Sequence, residues 1–171
     1  MLLEVYHYLL RLDNSRHIVR AMLRGLPAEA LNWTPELPAS ADPMNSMAAL
    51  AVHLAGAEQH WFSEVIGGAV PTRDRDAEFA YVANSAEEPL ARLDAVAAAS
   101  EAVLSQLTAE ELDGEKRARD RMMPVRFIIL HVIDHYALHI GHMQITYQLW
   151  NAGQAFQAPH WFERRTSREE Q

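Results

Sequence analysis

The sequence predicts an all-α fold, a four-helix bundle with long crossover connections. Two observations carry this: four amphipathic segments with apolar residues at helical spacing and no sustained alternation of period two, and connections of roughly 15 to 20 residues between some of them. A length of 171 residues, of which 49% are hydrophobic, with 8 Pro and 7 Gly, suits one domain with a sizeable core. We place that domain at residues 1–160 and a basic, polar C-terminal tail at 161–171.

The first helix is expected over about residues 2–24, with Leu2, Tyr6, Leu9, Ile18 and Met22 among its apolar residues. Gly25 and Pro27 end it. Residues 26–44 hold Pro27, Pro35, Pro38 and Pro43 and read as an extended connection pinned by Trp33. A second helix begins at Asn45 or Ser46, either of which can cap it, and runs to Gly67 and Gly68. After a polar stretch from Arg73 to Asp76, a third helix starts at Ser85, where Glu88 completes a capping box, and continues to about Leu107. Residues 108–123 read as a charged loop with a helical turn at Thr108 to Leu112. Pro124 opens the fourth helix, which ends near Trp150, before Asn151 and Gly153.

The formal net charge of −8, from 15 basic and 23 acidic residues, would repel a phosphate backbone and argues against a nucleic-acid partner. Lys116, Arg117, Arg119 and Arg121 form a basic run, but Glu115 and Asp120 interrupt it, and it reads as a solvated loop. No apolar run reaches the roughly 18 residues of a membrane span, and Met1–Leu10 carries Glu4 and His7 without a basic start. A cytoplasmic protein without a membrane partner is therefore expected. With no cysteine, any metal must be held by nitrogen and oxygen.

The fourth helix carries the strongest chemical signal. His131, His135, His139 and His142 are spaced four, four and three apart and fall within an arc of about 80° on one face. Each imidazole brings a donor and an acceptor that a core must satisfy, and metal coordination does so directly. With 9 His in the chain, about half an HxxxH pair is expected by chance, so one pair alone means little. Two overlapping pairs, together with His53 on a separate amphipathic helix, point to a divalent ion between two helices. His131 and His139 lie about 12 Å apart along the axis and cannot share one ion. The spacing admits His131 with His135 or His135 with His139, and His135 is common to both. His60 reads as a pocket wall or a residue behind the ligands, while Glu64 and His142 are candidates to relay a proton.

The same residues carry a family resemblance. The Asn32–Pro35 segment N-W-T-P, the helix-two HLAGAEQHW at His53 and the late HVIDHYALHIGH resemble the DinB-like (DinB/YfiT) superfamily of metal-binding four-helix bundles over most of the chain. The resemblance implies that His53, His135 and His139 are the metal ligands, with Gly141 the nearby glycine. Three imidazoles suit zinc, nickel, copper or iron, of which zinc or nickel is the expected ion, and the resemblance favours a homodimer acting on a small-molecule substrate. The expected activity is a metal-dependent S-transferase that activates a low-molecular-weight thiol for attack on an electrophile, in a stress or detoxification role. A metal-dependent hydrolase and a noncatalytic metal-binding protein are the alternatives. The Gly141–His142 pair is also similar to family members linked to mycothiol, from which the chain departs in that their middle ligand is often Glu and is here His135. The chain departs from the family again where an arginine often found further along the last helix has no match in GHMQITYQLW.

Overall fold

The computed structural model describes residues 1–38 and 41–159, so the tail assigned to 161–171 lies outside the described residues. The first helix, α1, spans Leu3–Leu23 and buries Val5, Leu9, Leu12, Arg16, Val19 and Leu23, spaced four and three residues apart on one face. It stops before Gly25, whose φ of +77° is a backbone conformation that glycine adopts without a Cβ clash. The connection that follows is not extended throughout. Pro27 precedes a short helix, α2, at Ala28–Asn32, because its fixed φ favours entry into a helical turn. The amide of Asn32 then donates to the carbonyl of Ala83 at 2.8 Å and accepts from its N–H at 2.8 Å, tying two distant connections together.

Helix α3, Met47–Glu58, has every residue buried and is the central rod of the bundle. Ser46 caps it, accepting from Ala49 N at 3.2 Å. From Gln59 to Ile66 the rod continues as a π-helix, with Gly67 N donating to Phe62 O at 2.9 Å, five residues back. The polar stretch after it contains a short helix, α4, at Arg75–Phe79, capped by Asp74, whose side chain accepts from Ala77 N at 3.0 Å.

Helix α5 covers Glu87–Leu104, and the capping box expected at Ser85 does not form. Instead the Glu88 carboxylate accepts from Asn84 N at 3.0 Å, Asn84 Nδ2 at 3.0 Å and the Tyr81 hydroxyl at 2.9 Å, so the chain arrives through a turn rather than through a serine cap. A capping box does form at Thr108 and Glu111, at the start of α6, Ala109–Asp113. The charged segment beyond it is not a loop but a hairpin of β1, Glu115–Ala118, and β2, Arg121–Pro124, paired antiparallel. Its residues are mostly exposed, which hides the alternation that marks a half-buried strand, and Arg119 makes the turn at a φ of +56° without a glycine. Helix α7, Val125–Trp150, follows with Pro124 in the capping position.

Helix α1 packs against α7 and α5, and α3 packs between α5 and α7. Consecutive long helices α1 and α3, and likewise α5 and α7, therefore stand on diagonals of the bundle. The expected crossover connections are present. No helix among the described residues is long and apolar enough to cross a membrane.

One polar network joins the helices inside the core. Arg16 on α1 donates through Nε to Glu58 Oε2 at 3.2 Å and through Nη2 to Glu58 Oε1, and Tyr136 on α7 donates its hydroxyl to Glu58 Oε2 at 2.7 Å. Arg16 is 1% exposed, and Glu58 and Tyr136 are fully buried. Burial alone would favour neutral Arg16, but the adjoining Glu58 carboxylate holds its pKa above the ordinary value. Replacing one partner strands the other charge in the core. Arg16→Met is expected to lower unfolding stability by about 3–5 kcal/mol. Arg20→Ala, which removes a bond to the exposed Asp94, is expected to cost less than about 1 kcal/mol. Urea denaturation of both variants at one pH checks the contrast.

Candidate metal centre

Two rods supply the centre. His53 lies in the middle of the buried α3, where the Ala and Leu on either side favour the helix, and His135 and His139 lie one turn apart on α7. Their Nε2 atoms converge. His135 Nε2 is 3.1 Å from His53 Nε2 and 3.1 Å from His139 Nε2, and one ring nitrogen from each of the three lies within 4.8 Å of the others. Nitrogens bound tetrahedrally to a single divalent ion stand about 3.3 Å from one another. The structure thus brings together His135 and His139, the later of the two pairs the spacing allowed, with His53. His131 is turned aside, its ring 6.0 Å from that of His135 and edge-on to Trp61 at 5.4 Å.

The protonation of His53 follows from its other partner. His53 Nδ1 stands 2.9 Å from Oε2 of Glu78, a buried carboxylate that accepts two further bonds, from Arg73 Nε at 2.8 Å and Nη2 at 2.9 Å. Burial alone would raise the pKa of Glu78, but the bonds from Arg73 and His53 outweigh it and hold the carboxyl below its usual range. Glu78 therefore accepts a hydrogen bond from His53 Nδ1–H, and His53 Nε2 carries a lone pair on the side of His135. Burial first, and then the neighbouring cationic forms of His139, His53 and His131, push His135 down to about 3. Burial, with His53 and His142, pushes His139 down to about 4. The three rings are neutral at pH 7, which is the state that ligates a metal.

Hydrogen bonding among the rings does not satisfy this arrangement. A neutral imidazole has one N–H, so a proton on His135 Nε2 serves one of its two 3.1 Å contacts well and leaves the other short of a partner. His135 Nδ1 is buried and makes no hydrogen bond. A divalent cation taking all three Nε2 lone pairs would satisfy the convergence, and the all-nitrogen set suits zinc, nickel, copper or iron. His53 is buried, while His135 and His139 are partly buried, so the side of the centre they form is the less enclosed one.

The other histidines and acids take different places. His142 Nδ1 is 3.4 Å from His139 Nδ1, beside the triad and exposed. Glu64 accepts from Thr72 N at 2.8 Å and pairs with His60 Nδ1 at 2.7 Å. After Glu58 the wider π-turns change the angular step, so Glu64 is not placed relative to His53 as α-helical spacing alone would place it. His60 lines a hollow of about 300 Å³ with Trp61, Arg73, Arg119 and Arg121, so the hairpin brings part of the basic run to this wall.

Glu78, Arg73 and Gly56 escaped the sequence reading. A Cβ on Gly56 would lie 1.9 Å from Glu78 Oε1, so the bare backbone at Gly56 is what admits the carboxylate to His53. Two signals pointed there. A glycine interrupts an otherwise Ala- and Leu-rich helix one turn after His53, and Asp74 stands as a helix cap just before Glu78.

Comparison with known proteins agrees with this geometry. The family model described as the DinB superfamily matches residues 11–143. A conserved protein from Enterococcus faecalis has a similar crystal structure at 18% identity, with a TM-score of 0.67 over 89% of this chain and 99% of that one. A DinB-like protein from Bacillus subtilis is similar at 17% identity, with a TM-score of 0.61 over 92% of this chain and 96% of that one. No curated protein matches the sequence.

The carboxylate behind His53 gives a direct test of the donor set. Glu78→Gln and Gly56→Ala are each expected to weaken zinc binding by roughly 10- to 100-fold, because both loosen the same imidazole. Competition titration against a chromogenic chelator measures the change.

Proposed function

Because the chain belongs to the DinB superfamily, and because three imidazole nitrogens converge in it, we propose that His53, His135 and His139 hold one divalent metal ion, zinc or nickel, in a metal-dependent thiol transferase. The observation that carries this reading is the pair of 3.1 Å contacts on His135 Nε2, which an ion explains and N–H bonds do not. A divalent cation there supplies positive charge that lowers the pKa of a coordinated thiol or water toward neutrality. The incomplete burial of His135 and His139 favours a site open to small molecules over an ion that only braces the bundle.

The chain's own residues then have distinct parts. Glu78 and Arg73 fix the ring plane and tautomer of His53. His142, exposed beside His139, accepts the proton that the cosubstrate thiol gives up. The sulfur forms its bond to an electrophilic carbon as the leaving group departs with the bonding electron pair. The thiol comes from outside, since the chain has no cysteine. A stress or detoxification role in the cytoplasm fits this chemistry. The exposed apolar residues Phe127, Leu130 and Leu138 on α7 favour a homodimer.

Cobalt substitution tests the thiol step. Cobalt-loaded protein titrated with a low-molecular-weight thiol is expected to develop a sulfur-to-cobalt charge-transfer band that saturates at one thiol per ion. An unchanged spectrum, with a chromogenic ester hydrolysed by the zinc form, would favour the hydrolase instead.

A further inference from the structure

A second feature lies on the other side of His142. Residues 43–45, which lead into α3, stand off from the C-terminal half of α7 and leave a cavity of about 270 Å³. Pro43, Met44, Leu50 and Ile145 give it apolar walls, and Asn45, Thr146 and His142 bring polar groups to it. Thr146 is 1% exposed, and its hydroxyl is buried without a hydrogen-bond partner. A buried hydroxyl left unbonded is costly, and Thr146 lines the cavity, so a side-chain rotation that turned the hydroxyl into it would let a ligand supply the missing bond. Apolar walls with a few convergent polar groups are the usual make-up of a small-molecule site.

The lining also restricts the ligand's charge. Among the described residues no Lys, Arg, Asp or Glu borders the cavity, so a charged ligand would lose hydration and gain no counter-ion from them. The basic residues lie instead at the hollow beside His60. In size, an apolar cavity of about 150 Å³ accepts benzene, so this one accommodates a substituted single ring. Its polar edge is His142, which reaches His139 of the triad.

We propose that this cavity binds a neutral organic molecule of about one substituted ring, which hydrogen-bonds the Thr146 hydroxyl and extends past His142 toward the metal centre. The binding itself needs only the cavity; the extension toward a metal rests on the function proposed above, where such a molecule would be the electrophile. The neutral walls then select against carboxylate-bearing electrophiles.

The test uses benzyl alcohol as the probe and benzoate as its charged counterpart, titrated into full-length protein with and without zinc while the methyl signals of Met44, Leu50 and Ile145 are followed by NMR. Benzyl alcohol is expected to shift these signals saturably, with benzoate at least tenfold weaker. Thr146→Val, which keeps the shape and removes the hydroxyl, is expected to weaken binding about tenfold. Leu50→Phe, which fills the cavity, is expected to abolish it. No saturable shift, equal binding of benzoate, or wild-type affinity in both variants would overturn the proposal. Saturable shifts in a protein that takes up no zinc would keep the cavity and remove the metal reading. Zinc uptake without shifts would do the reverse.

Discussion

A fully buried carboxylate, Glu58, stands at the centre of the bundle between an arginine on α1 and a tyrosine on α7. Because α1 and α3 lie on a diagonal and touch little along their length, the Arg16–Glu58 pair is their principal polar tie. An apolar interface tolerates sliding by a fraction of a turn, but a bidentate ion pair in a medium of low dielectric does not. The tyrosine that completes it, Tyr136, is the next residue after His135, and Glu58 is five residues after His53. The bond that fixes the axial register of α3 against α7 therefore also fixes the register of the ligand-bearing positions.

The centre shows the same economy in its immediate surroundings. Glycine at residue 56 weakens helix α3 locally, yet it opens the space through which Glu78 reaches His53. The carboxylate is in turn neutralised by Arg73, so the positive and negative groups behind the imidazole balance and leave the lone pair of Nε2 pointing outward. Immediately beyond Glu58 the helix widens into π-turns, which direct Glu64 toward Thr72. Widened turns next to a functional site recur in helical proteins because they re-aim side chains without ending the helix.

Much of this was legible in the sequence, for physical reasons that differ by element. The 3.6-residue period and the Gly and Pro stops located the four long helices, since burial and backbone restriction act locally. The spacing of His135 and His139 put them on one face of α7, and the family resemblance chose that pair, which the structure joins to His53. The hairpin at residues 115–124 was hidden because Ala118 is its only buried residue, and charged side chains carry no period. Glu78 and Arg73 were hidden because their role depends on where a connection folds back, which no local pattern encodes. Arg16 is the intermediate case. It occupies a position of the apolar stripe of α1, a misplaced charge that signals a buried partner without naming it.

These elements describe a bundle whose core fixes two rods so that three neutral imidazoles meet at a partly open face, with an uncharged cavity on one side of His142 and a basic wall at His60. Metal occupancy decides whether that meeting point is a coordination site. The measurement that tests it most directly is metal content by mass spectrometry, on untagged protein purified without chelators and incubated with zinc or nickel. The account predicts about one ion per chain, lost in His53→Ala, His135→Ala and His139→Ala and kept in His131→Ala. Background metal in the wild-type protein, or an ion kept without His139 and lost without His131, would contradict it.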